Sequence, residues 1–62
     1  MPELDRILRK IEITRQKGES RLLIYEDIKP ETVCSLRDMG YLVLQIYING
    51  HIRTVVGLKK NG

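Results

Sequence analysis

The chain has few of the residues that staple or anchor a small protein. It carries one cysteine, Cys34, and one histidine, His51. A single cysteine cannot close an intrachain disulfide. One Cys with one His gives too few ligands for a zinc site unless carboxylates or a second chain contribute. Neither a metal nor any other cofactor is expected. Long hydrophobic runs are also missing. The longest, Leu22-Leu23-Ile24-Tyr25 and Tyr41-Leu42-Val43-Leu44, fall far short of the roughly 20 residues that cross a bilayer, so no membrane partner is expected. The start, Met1-Pro2-Glu3-Leu4-Asp5-Arg6, has acidic residues and no apolar core, which does not read as a secretory signal. A cytoplasmic setting, or one inside an assembled particle, is expected. The glycines Gly18, Gly40, Gly50, Gly57 and Gly62 stand singly, so no Gly-rich phosphate loop is present. Repeats, low-complexity stretches and linkers are lacking as well.

What the chain does have is an ordinary globular balance. Hydrophobic residues make up 42% and charged residues 31%, which favours a folded state over disorder. With 62 residues, positions 1–62 hold one small domain. A chain of this size buries only roughly 60% of its extended surface, so a lone monomer is marginal. Eleven Lys plus Arg against eight Asp plus Glu leave a net charge of +3, a mild attraction for anions rather than a dense nucleic-acid tail.

Hydrophobic periodicity places the elements. Leu4, Ile7, Leu8 and Ile11 follow the i, i+3, i+4, i+7 series of an amphipathic helix from Pro2 to about Lys17, with Gly18 as its stop. Arg21–Tyr25 is short and apolar, which predicts a strand. Lys29-Pro30-Glu31 opens a second helix running to about Met39, with Gly40 beyond it. Val33, Leu36 and Met39 face inward there, while Glu31, Ser35 and Asp38 face water. Tyr41–Ile48, Asn49-Gly50 and His51–Leu58 read as a hairpin with a type I′ turn, and residues 59–62 as a polar tail. The fold class is α/β (α+β), order α-β-α-β-β, with two helices and a three-stranded mixed sheet. The second helix is long enough for a crossover that makes strands one and two parallel. The order 1-2-3 is expected, with 1-3-2 as the alternative.

Both faces of the hairpin are apolar. One bears Leu42, Leu44, Ile46 and Ile48. The other bears Tyr41, Val43, Tyr47, Ile52 and Val56, with Gln45 and Thr54 as its only polar pair. Either the helices cover one face each, or both cover Leu42, Leu44, Ile46 and Ile48 and leave Tyr41, Val43, Tyr47, Ile52 and Val56 to a partner. A homodimer is the simplest partner, because it lends a marginal core its second half. The outer side of the first helix collects Arg6, Arg9, Lys10 and Lys17 around Ile13. That stripe could meet nucleic acid or an acidic protein, or simply be solvated. Tyr41 and Tyr47 are bordered by Ile, Val and Leu rather than cations, which disfavours a base-stacking platform.

Catalytic constellations are not found. Cys34 lies in a short helix, where a buried small residue is expected, and His51 flanks a turn at the far end of a strand. Glu26, Asp27 and Glu31 suit turn formation and the helix dipole. No enzyme is expected. The chain reads instead as a stoichiometric protein-binding or assembly module acting as a homo-oligomer, with nucleic-acid binding through the basic helix face as the alternative.

The strand from Leu22, the start Lys29-Pro30-Glu31-Thr32-Val33, Leu36 and the exit Met39-Gly40-Tyr41-Leu42-Val43 resemble a pattern of small bacteriophage-encoded α/β proteins. In that pattern a Ser-Pro-Glu-Thr-like helix start and a Leu-Gly-Tyr-x-Val-like exit join two strands. The resemblance covers about a third of the chain, and Lys29 departs from it where a Ser or Asp cap is usual. It implies a compact accessory protein, either a virion component or a factor that binds a host protein. It assigns no site residue.

Overall fold

The computed structural model describes residues 2–58. Helix α1 spans Pro2–Gln16, strand β1 Arg21–Ile24, helix α2 Pro30–Asp38, strand β2 Leu42–Ile48 and strand β3 His51–Gly57. The polar tail read at residues 59–62 lies outside the described residues.

The helix ends are built as their residues dictate. At the end of α2, the Gly40 N–H donates to the Arg37 carbonyl and the Tyr41 N–H to the Leu36 carbonyl. Those two bonds satisfy carbonyls that the helix would otherwise leave unpaired. They require a left-handed residue between the helix and Tyr41, and Gly40 takes φ +95°. The same pair closes α1, from Gly18 to Arg15 and from Glu19 to Thr14. The start of α2 is different. Lys29 has no side chain suited to capping, and none caps there. Glu3 of α1 holds that start from across the helix pair: its Oε1 accepts the Lys29 N–H at 3.0 Å and the Thr32 hydroxyl at 2.6 Å.

The sheet has the order β1-β3-β2. This corrects the mixed sheet and the 1-2-3 order expected above, because every neighbouring pair is antiparallel. β1 and β2 do run in the same direction, each being antiparallel to β3, but β3 is inserted between them. The crossover fixes their relative direction and says nothing about which strand lies beside which. The hairpin register is the expected one, with Leu42 opposite Gly57, Leu44 opposite Val55, Ile46 opposite Arg53 and Ile48 opposite His51. Asn49 (φ 52°) and Gly50 (φ 79°) both take the positive φ that a type I′ turn demands.

One core forms. Ile7 and Ile11 of α1, Val33 and Leu36 of α2, Ile24 of β1, Val43 of β2, and Val56 and Leu58 of and beyond β3 are buried together. Both helices therefore pack on one side of the sheet. Two inward assignments are corrected: Met39 is 52% exposed, since it caps α2 rather than continuing its inner face, and Cys34 is exposed on the outer side of α2.

Candidate interaction surface

The side of the sheet away from the helices is made of alternate strand residues: Leu42, Leu44, Ile46 and Ile48 on β2, His51, Arg53, Val55 and Gly57 on β3, and Arg21 and Leu23 on β1. The β2 residues are 65%, 52%, 40% and 37% exposed in chain order. Four large aliphatic side chains in a row on one strand are open to water, an apolar stripe of the kind that an interaction site presents. No acidic residue belongs to the strand positions of this face, whereas Arg21 and Arg53 do. Arg53 folds back so that its Nη1 donates to the Ile52 carbonyl at 3.0 Å.

Of the partner face expected from sequence, this arrangement buries Val43 and Val56 and leaves Tyr47 and Ile52 open. Val43 and Val56 are 2% and 0% exposed in the core, and Tyr41 is half-buried against it. Tyr47 and Ile52 share that side of the sheet but lie beyond the helical cover, at 76% and 43% exposure. The helices took the opposite face to the one expected because the crossover between β1 and β2 can lie on only one side. A pattern apolar on both sides does not announce which. A signal was nonetheless present in β3. His51 and Arg53 stand on the open face, against Thr54 on the covered one. A guanidinium is far costlier to bury without a partner than a hydroxyl.

The basic stripe of α1 is partly spoken for. Arg6 Nη2 lies 3.2 Å and Lys10 Nζ 3.4 Å from the two carboxylate oxygens of Glu26, which ties the loop after β1 to the helix. All three side chains are substantially exposed, so these pairs add little stability. Arg9, Lys17 and the half-exposed Ile13 complete the stripe on the solvent side. Further along α1, Arg15 holds the Glu12 carboxyl below its ordinary range. The Glu3 carboxyl is lowered as well, chiefly by the Thr32 hydroxyl and then by the Lys29 N–H.

Beside these, a shallow depression of about 290 Å3 opens on the helix side between Glu26, Asp27, Ile28, Gln45, Ile52 and Thr54. Among the described residues, no three or more His, Cys, Asp or Glu side chains group as metal ligands, and no helix is long and apolar enough to cross a membrane. Compared with protein families, curated proteins and solved structures, the chain returns no match in any of the three.

Proposed function

We propose that this chain is a non-enzymatic protein-binding module that acts stoichiometrically and self-associates, with the open face of the sheet as its contact surface. The observation that supports this is the uncovered row Leu42, Leu44, Ile46 and Ile48. Burying those side chains against another protein recovers hydrophobic free energy that the monomer forgoes, at roughly 25 cal/mol per Å2. Arg21 at the β1 edge and Arg53 on the central strand orient such a contact and favour acidic groups on any partner other than a second copy. A cytoplasmic setting, or an assembled particle of the kind that a bacteriophage accessory protein joins, fits a module of this type.

Molar mass by light scattering over a dilution series, at low and high salt, with and without a single-stranded oligonucleotide, tests the reading. A dimer that persists in high salt and ignores the oligonucleotide is the expected result. A monomer at every concentration overturns it. A species that shifts only with oligonucleotide at low salt transfers the function to the basic face of α1.

A further inference from the structure

The edge of β2, unpaired among the described residues, carries a second inference, which rests on the self-association proposed above but uses a different surface. We infer that β2 pairs antiparallel with β2 of a second copy, about a two-fold axis at Ile46, joining two three-stranded sheets edge to edge.

The backbone sets the pattern. In a two-residue hairpin the residues flanking the turn, Ile48 and His51, are a hydrogen-bonded pair. Alternation then points the backbone groups of Ile46, Leu44 and Leu42 at β3, and those of Val43, Gln45 and Tyr47 away from it. Arg37 of α2 agrees with this: its Nη2 donates to the Val43 carbonyl at 3.0 Å, capping the first outward acceptor. The run left to pair is Gln45 to Tyr47, centred on Ile46. A two-fold there sets Gln45 opposite the partner's Tyr47 and Tyr47 opposite the partner's Gln45. Each pair exchanges two N–H···O bonds, so the outward groups of Gln45 and Tyr47 are all used and the Arg37 cap is kept.

Side chains and helices allow this register. Between Asp38 and Arg53 the chain has no Asp, Glu, Lys or Arg, so no like charges meet across the axis. β2 pairs with β3 without a bulge over its seven residues and contains no proline. Natural edge strands are protected by charge, proline, bulges or shortness. β1, the other edge, has that protection, being four residues long and opening with Arg21. α2 stands over the Val43 end of β2, to which Arg37 reaches. In the Ile46-centred register, Val43 and the partner's Val43 lie about 20 Å apart along the ribbon. A nine-residue helix is about 14 Å long, so the two α2 helices pass at opposite ends.

The test is disulfide trapping with oxidised glutathione in a Cys34→Ser background, mixing Gln45→Cys chains with Tyr47→Cys chains. Both positions point to the helix side of the sheet and are exposed, so a dimer formed only through the open face cannot join them. Directly opposite positions come within about 5.5 Å Cα to Cα, inside disulfide reach, while 45 to 45 and 47 to 47 across the axis exceed about 7 Å. The expected result is covalent dimer from the mixture, up to about half of the chains, and several-fold less from either variant alone. A protein that is dimeric by light scattering but gives no mixed cross-link overturns the edge pairing and leaves self-association standing. A monomer removes both. Efficient cross-linking of Gln45→Cys alone overturns the register. Amide exchange on the unmodified chain is the second measurement. The Gln45 and Tyr47 amides are expected to slow at least tenfold as concentration rises, and exchange independent of concentration overturns the proposal.

Discussion

Glu3 shows how far one side chain can act in a chain this small. It sits in the first turn of α1, where its charge suits the helix dipole, and it also accepts two hydrogen bonds at the start of α2. Because those bonds favour the ionised form, the folded pKa lies below the ordinary value of 4.5. A group of this kind contributes its full stabilisation above the unfolded pKa and loses it as pH falls through the lower, folded value. Thermal melts from pH 7 down to pH 3 should show the unmodified protein losing stability through that window. The Glu3→Gln variant should start lower at pH 7 and lose less on acidification. Its remaining loss would reflect Glu12, whose carboxyl is lowered by Arg15. Parallel curves for the two proteins would refute the role given to Glu3. The core makes a second demand at this scale. Leu36 is fully buried between the helices and the sheet, so Leu36→Ala should cost about 2–5 kcal/mol in denaturant unfolding. In a chain of this size that loss approaches the whole stability.

At the scale of elements, the parts that were legible share a cause: each is determined by residues close in sequence. The Asn49-Gly50 pair selects the turn, the turn selects the register, and the register puts Leu44 opposite Val55. Gly50 meets nothing within 4 Å where a Cβ would stand, so the cost of a side chain there is conformational alone. Gly50→Ala is therefore expected to destabilise by about 1 kcal/mol. Asn49→Gly, at the other positive φ, should change stability little. Equal losses in the two variants would show that the turn is not the strained step. Where an element borrowed from a distant one, the sequence was silent. Lys29 departs from the capping pattern, and nothing near it reveals that Glu3, far away in α1, binds its N–H and the Thr32 hydroxyl.

At the scale of the molecule, the open face and the β2 edge both raise the question of association. Leu44→Glu puts a charge in the middle of the exposed row. Since Leu44 contributes nothing to the core, the monomer should keep its stability to within about 0.5 kcal/mol, while light scattering should show association through the open face lost. A variant that unfolds instead would mean that Leu44 belongs to the packing of the single chain. Because the proposed contact is apolar, sulfate should strengthen it and sodium chloride should leave it intact, opposite to an interaction made through Arg6, Arg9 and Lys10.

Local chemistry by itself determined the five elements, their order, the stops at Gly18 and Gly40, the hairpin and its register, and the apolar character of both sheet faces. Only the tertiary structure decided that β3 lies between β1 and β2, that both helices share one side, and that Val43 and Val56 go under them while Leu42, Leu44, Ile46 and Ile48 stay open. The reason is physical. Strand order and helix side depend on chain crossing and handedness, and when two faces are nearly equal in hydrophobicity the choice falls to small differences. Here one such difference was the cost of burying Arg53 rather than Thr54.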